Sequence, residues 1–321
     1  MIEFCGIYAP YIKDYIEFKR SLGYCFSMEY LFKDFDSFTL EQECSTVGLT
    51  KELCDLWGTR RPNETEVNCY KRINDIRNFS IYLNSLGYKS YVSVHNAKHQ
   101  STFVPYIFTK AEIQKFFYAC DSLPITGYSV ITQTLPAVFR LIYGCGLRVN
   151  EALFLKCDDV NLEEQYIVIR KTKNDCDRIL PFTDSVADAL KKYMQYRKQL
   201  QFTSEYFFVK KDGDQCSSDS VYRWFRRILY HAGISHGGKG KGPRVHDLRH
   251  SFSVHTLAAM AENGLDLYYS LPIISKYLGH NSLEATDKYV RLTANMYPGI
   301  LNKMNSICSY VFPEVNNYET E

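Results

Sequence analysis

The sequence predicts a mainly α-helical protein with one small antiparallel β-sheet, an α+β fold in two domains. Three observations predict it. Apolar and aromatic residues recur at helical spacing through the first ninety residues. The period changes to a β-branched run only in residues 165–182. Helical spacing then returns and continues past residue 280. The chain has 321 residues, 45% hydrophobic and 23% charged, the balance of a soluble globular protein large enough for two cores. It contains 26 Tyr and 20 Phe, so aromatic rings should fill those cores.

The elements follow in order. Tyr11, Ile12, Tyr15, Ile16, Phe18 and Leu22 lie on one helix face before a Gly23 stop. Leu31, Phe32, Phe35 and Phe38 repeat the pattern between Tyr30 and Leu40. Thr50 reads as the N-cap of a short helix carrying Leu53 and Leu56. A longer helix is expected from about Glu64 to Leu86, ending at Gly87. Residues 1–87 thus read as a small helical domain and the aperiodic stretch 88–106 as a linker. Thr109 with Glu112 has the form of a capping box, opening helices at roughly 109–121 and 129–143. A hairpin over 165–182, with a third strand near Val160, is expected next. Helices are then expected at 184–198, 218–232, 246–262, 270–279 and 282–289, with a mobile basic loop at Ser235–Pro243.

Several classes are excluded. No apolar run approaches the roughly 20 residues of a membrane span, and the N-terminus lacks the pattern of a signal peptide. The 11 cysteines form no Cys-x-x-Cys pair, so reduced thiols in a cytoplasmic protein are expected. The net charge is only +2, but Arg223, Arg226, Arg227, Lys239, Lys241, Arg244 and Arg249 crowd one stretch. Such a local field attracts a phosphate backbone whatever the total charge. Arg223, Arg226, Arg227 and Lys241 are the candidate DNA contacts.

The chemistry lies in a set of basic residues ending in a tyrosine: Arg148, Lys173, His246, Arg249, His280 and Tyr289. Guanidiniums, an ammonium and imidazoles suit the holding and neutralising of a phosphodiester. A tyrosine hydroxyl beside them can attack the phosphorus. His246 and Arg249 share one helix face, near an N-terminus that favours an anion. Arg148 follows a glycine-bent approach, Gly144-Cys145-Gly146-Leu147, and has Glu151 as a structural partner at helical spacing. Tyr277 and Tyr297 are poorer nucleophile candidates by position. No metal or other cofactor is expected, since no paired carboxylates and no phosphate-binding Gly-x-x-x-x-Gly-Lys loop are present.

Together these pieces resemble the tyrosine recombinase (phage-integrase) family. Gly144 to Asp158 resembles its first catalytic box, His246 to Phe252 the second, and Leu278 to Tyr289 the third, with the histidine-to-tyrosine spacing kept. The resemblance implies a core-binding, SAM-like helical domain in residues 1–87 and a catalytic domain in 107–298. It implies Tyr289 as nucleophile, forming a 3′-phosphotyrosine and releasing a 5′-hydroxyl. Arg148 and Arg249 would clamp the phosphate, His246 would take or position the tyrosine proton, and His280 would bond the phosphate. A hairpin lysine, Lys173 or else Lys171, would protonate the leaving oxygen.

The resemblance also implies a C-shaped clamp on duplex DNA and a homo-tetramer on two recombination sites, helped by an accessory DNA-bending or directionality factor, with no membrane role. The tail 299–321 would dock on a neighbouring protomer or on its own domain. A transposon or other mobile element is the expected source, with binding to core sites only. The alternatives are a type IB topoisomerase-like relaxing enzyme, a dimer-resolving housekeeping recombinase, and a DNA-binding module without catalysis.

Overall fold

The computed structural model describes residues 3–24, 26, 28–94, 104–124, 130–170, 177–201, 203–238, 241–280, 286, 288–290 and 292–293. The chain divides into two compact units, Met1–Phe103 and Val104–Glu321. The first is built from α1 (Ala9–Ser21), α2 (Glu29–Glu41), α3 (Lys51–Gly58) and α4 (Glu66–Ser85). Its core is aromatic, as the composition implies: Tyr8, Tyr15, Phe32, Phe35, Trp57 and Phe79 are buried together, mostly tilted or edge-on. Edge-on packing sets the positive ring edge against a negative face. Thr50 and Thr65 cap α3 and α4 by accepting from the Leu53 and Asn68 amides, each at 3.2 Å. The last helix starts two residues later than expected. Glu64 is turned aside to pair with the buried Arg72, which holds its carboxyl down at about 2.

The expected linker begins too early. Tyr91 donates its amide to the Leu49 carbonyl at 2.7 Å, and Ser90 exchanges hydrogen bonds with Asn84. Tyr88 bonds Tyr11. These polar groups tie residues 88–91 to the first unit, a match that periodicity does not register. At the other end, Phe108 donates its amide to Ser251 at 2.9 Å and is fully buried in the second unit.

That second unit holds α5 (Lys110–Asp121), α6 (Ile131–Gly144), α7 (Val149–Leu153), β1 (Val160–Asn161), β2 (Tyr166–Ile169), β3 (Arg178–Pro181), α8 (Asp184–Gln199), α9 (Ser218–His231), α10 (Val245–Glu262) and α11 (Leu267–Leu278). The Thr109–Glu112 capping box opens α5 as the sequence predicts. The strands form one antiparallel sheet in the order β1-β2-β3, with Ile169 opposite Arg178. Helix α6 is the central post: it packs on α5, α7, α8 and α10, and eight of its residues are buried. Helix α10 is buried on almost every side and packs against both α6 and α11. Tyr289 lies in a helical stretch that includes residues 288–290. Among the described residues no helix is long and apolar enough to cross a membrane, and the described cysteines are free.

Candidate active site

Arg249 is the hub. It sits in the first turns of α10, 1% exposed. One terminal nitrogen donates to the Gly146 carbonyl and the other to the Leu278 carbonyl, both at 2.7 Å. The second nitrogen also lies 3.0 Å from His280 Nε2. One side chain therefore ties together the turn before α7, the core helix α10 and the end of α11. Arginine only donates, so His280 Nε2 is the acceptor and its Nδ1–H donates to Thr286 Oγ1 at 2.8 Å.

The turn before α7 needs its glycine. Gly146 has φ +61, and a Cβ there would stand 2.5 Å from Phe252 and 2.8 Å from Leu278. The bend delivers Arg148 to the N-cap of α7. Its amide donates to Glu151 Oε2 at 2.9 Å and its guanidinium to Oε1 at 2.8 Å. Glu151 also pairs with Arg178 at 2.9 Å and faces Arg249 at 3.6 Å. Three guanidiniums thus converge on one carboxylate.

Tyr289 completes the cluster. Its side chain is buried, and its hydroxyl is 2.7 Å from His250 Nδ1. Its ring stacks over His280 with centroids 6.3 Å apart, and Lys288 Nζ lies 5.3 Å from the ring centre. His246, one turn before His250, meets it edge-on at 4.6 Å.

This unit matches the phage integrase family model over residues 107–296, more than half of the chain. The chain belongs to the phage integrase family. It is a tyrosine recombinase. It is similar to "Putative integrase/recombinase y4rB" of Sinorhizobium fredii, 28% identical over 87% of this chain and 91% of that protein. Tyrosine recombinase XerA of Pyrococcus horikoshii is 31% identical over 59% of this chain and 58% of its own length. The fold is also that of the XerH site-specific recombinase in its post-cleavage complex with difH substrate, with a TM-score of 0.64 at 18% identity. That likeness covers 87% of this chain and 77% of XerH. The Tn1549 transposon integrase shares the fold at a TM-score of 0.58 and 18% identity, over 86% of this chain and 93% of its own.

The electrostatics of this integrase-family site are set by its crowd of cations. His250 is pushed down to about 2, by burial first and then by His246, Lys288, Arg244 and Arg249. His280 falls to about 4, by burial and then Arg249 and Arg148. His246 also falls to about 4, by desolvation first and then by Arg249, Arg244, Arg148 and Lys288. Its outer edge is open to solvent, which weakens the effect of burial there and leaves the neighbouring cations as the stronger influence on His246. Burial raises the Tyr289 phenol, and Arg249, Ser253 and Arg148 pull it only part of the way back. Burial alone would raise Glu151 too, but Arg178, the Arg148 amide and Arg249 outweigh it and hold the carboxyl below its ordinary value. The net state is a cationic pocket with neutral imidazoles and a protonated tyrosine.

Arg148, Arg249, His280 and Tyr289 come together as the motif spacing led us to expect, and His246 lines the same cluster. Lys173 and its alternative Lys171 lie outside the described residues, as do the tail 299–321 and Tyr297. Tyr277 is a packing residue: its hydroxyl donates to the Pro181 carbonyl at 3.0 Å and its ring stacks on Phe252. Arg223, Arg226 and Arg227 are exposed on α9, and Lys241 is exposed in the loop before α10. Arg223 and Arg227 line a cavity of about 350 Å³ with Lys210, Lys211, Ser220 and Trp224. Among the described residues no cluster of three or more His, Cys, Asp or Glu is arranged to hold a metal.

Sequence reasoning missed Arg178, Lys288 and His250. Arg178 looks like an ordinary strand residue, yet it also donates to the Tyr277 carbonyl at 3.1 Å, anchoring the hairpin stem to the site. The signal for His250 was available, since it follows Arg249 directly. Helical periodicity also puts it on the His246 side of α10, four residues on, a spacing the sequence reading did not use.

Proposed function

We propose that this tyrosine recombinase breaks and rejoins DNA at specific sites with Tyr289 as its nucleophile. The observation that carries the reading is the buried Tyr289 hydroxyl beside a guanidinium and imidazole cluster drawn from α7, α10 and α11. The tyrosine oxygen forms a bond to phosphorus while the bond to the 5′-oxygen breaks. This leaves a 3′-phosphotyrosine and a 5′-hydroxyl. Arg148 keeps an open edge, with 34% of its side chain exposed, and takes a non-bridging oxygen. Arg249 supplies fixed positive charge where the phosphorane gains negative charge, and the neutral His246 and His280 line the same site as hydrogen-bonding groups.

Lys173 protonates the leaving 5′-oxygen, with Lys171 the alternative. The in-line course of attack supports a hairpin lysine over Lys288, because Lys288 lies against the attacking ring. The phosphotyrosine keeps the energy of the broken bond, so strand joining needs no nucleotide.

The reading extends to duplex DNA held by both units, with the four-helix unit as a core-binding domain. Arg223, Arg226, Arg227 and Lys241 contact the backbone. A homo-tetramer on two recombination sites, an accessory DNA-bending or directionality factor, a cytoplasmic setting and a mobile element as the source complete it. The DNA-bound complexes named for XerH and Tn1549 integrase support the duplex partner, and the transposon in the name of the latter supports a mobile element as the source.

The test is covalent capture. Full-length protein is incubated with nicked duplexes made from the DNA flanking its own gene. A protein–DNA band stable to denaturant is expected, and Tyr289→Phe should abolish it while leaving DNA binding intact. A band that survives in Tyr289→Phe would sink the assignment.

A further inference from the structure

We propose that His250, rather than His246, is the proton acceptor for the tyrosine nucleophile, and that it becomes able to accept only when a phosphodiester occupies the arginine cluster. The proposal rests on the reading of Tyr289 as nucleophile and adds to it the residue that activates it.

Geometry carries the assignment. The Tyr289 side chain is 1% exposed and His250 is 4% exposed, so bulk water does not reach the hydroxyl freely. A buried O–H must place its proton on an acceptor. The acceptor in contact is His250 Nδ1, at 2.7 Å, within the reach a general base requires. Arg148 and Arg249 around the site are donors only and cannot take a proton. Ser253 faces the same hydroxyl from the next turn of α10 and donates its own hydrogen to the Arg249 carbonyl at 3.0 Å, so its oxygen can share the hydrogen bond, but a neutral alcohol is too weak a base to take the proton. His246 meets His250 through its ring at 4.6 Å and opens to solvent on its outer side. That suits it to contact phosphate.

The step balances. As the tyrosine oxygen bonds phosphorus, its proton passes to His250 Nδ1, and the 5′-oxygen leaves with a proton from the general acid. On rejoining, the 5′-hydroxyl attacks phosphorus and gives its proton back to the general acid, the tyrosine oxygen departs, and His250 returns the proton to it.

The charged neighbours supply the switch. Burial first, and then His246, Lys288, Arg244 and Arg249, disfavour an imidazolium at His250. An arriving phosphodiester brings one negative charge into this cluster, and the phosphorane brings a second. Each offsets the cations that suppress His250 basicity. The tyrosine therefore keeps its proton in the DNA-free protein and passes it to His250 as its oxygen bonds a seated phosphate. A recombinase gains from this, because a phenolate free of DNA would attack adventitious electrophiles.

The test compares His250→Asn, His250→Ala and His246→Asn in the full chain, using the same nicked duplexes. Asparagine keeps an acceptor oxygen near the place of Nδ1 but cannot take a proton. We expect His250→Asn to bind DNA as the wild type does and to lose about 10²–10⁴-fold in the rate of covalent capture. That residual rate should climb about tenfold per pH unit as hydroxide substitutes for the base. A 3-fluorotyrosine at position 289, a more acidic phenol, should restore much of the loss in His250→Asn and little of it in Arg148→Ala. Wild-type capture by His250→Asn overturns the proposal, as does the same pH slope and fluorotyrosine rescue appearing in His246→Asn instead. The fluorine resonance of that residue, read without DNA, should move in His250→Asn more than in His246→Asn; the reverse order overturns the contact itself. Capture absent from the wild type with every duplex would count against the recombinase reading, and the DNA-free resonance separates that failure from this one.

Discussion

Tyr289 and the imidazoles around it show how burial sets chemistry one group at a time. His250 and His280 are held neutral in the folded chain, well below their ordinary value of 6.5. A base with a depressed folded value binds fewer protons folded than unfolded. Stability therefore rises with pH across that window, is fully present above about 6.5, and is lost as pH falls through about 4 for His280 and about 2 for His250. Denaturant melts between pH 7 and pH 4 should show a steep loss, equivalent to about two protons taken up on unfolding, with a smaller share from the half-open His246. His280→Gln should flatten that slope by about one proton. Arginine at 148 acts through its fork, so Arg148→Lys should keep the charge yet lose roughly 10²-fold or more in covalent capture.

At the scale of elements, the site depends on backbone bends that place side chains from distant segments. Gly146 has a positive φ and two core side chains where a Cβ would go, and its carbonyl accepts from Arg249. Gly146→Ala should destabilise the chain by about 1–3 kcal/mol through that strain and overlap. Capture should fall further than stability does, because the Arg249 anchor moves; parallel thermal melts and adduct assays would separate the two. Glu151 is the counterpart on α7. Removing its charge leaves Arg178 and Arg249 without their shared carboxylate in a buried setting. Glu151→Gln should therefore cost roughly 3 kcal/mol or more in chemical denaturation, although Gln matches Glu in volume. A loss below about 0.5 kcal/mol would mean that the carboxylate is solvated in solution and the three-arginine arrangement does not hold.

For the whole molecule, modest net charge coexists with a local cationic face. The chain carries only +2 overall, yet Lys210, Lys211, Arg223 and Arg227 line one cavity beside the exposed Arg226. DNA affinity should fall linearly on a log–log plot against salt, and the double variant Arg223→Ala with Arg227→Ala should reduce that slope by about two. An unchanged slope would take these arginines out of the interface. Each unit also has its own buried core, the first aromatic and the second built around α6 and α10. Independent packing of this kind is what distinguishes domains from lobes of one core.

Local order was legible wherever a short-range rule operates. The caps at Thr50 and Thr109, the hairpin between Tyr166 and Pro181, and the helical stretch around Tyr289 follow from neighbours within a turn or two. The three catalytic boxes were legible for a different reason, since each is a contiguous run whose residue types and spacing are chemically constrained. Tertiary structure decided what depends on approach across the chain. Asn84 meets Ser90 and draws the supposed linker into the first unit. The Arg178 side chain reaches from β3 to join Glu151. His250, one turn beyond His246 on α10, meets the tyrosine hydroxyl 39 residues away. The sequence by itself determined the helical class, the small sheet and the set of reactive groups, because periodicity and motif are local properties. Only the folded chain decided which nitrogen faces the Tyr289 hydroxyl and which charges face that nitrogen, because hydrogen bonding and burial are properties of distance.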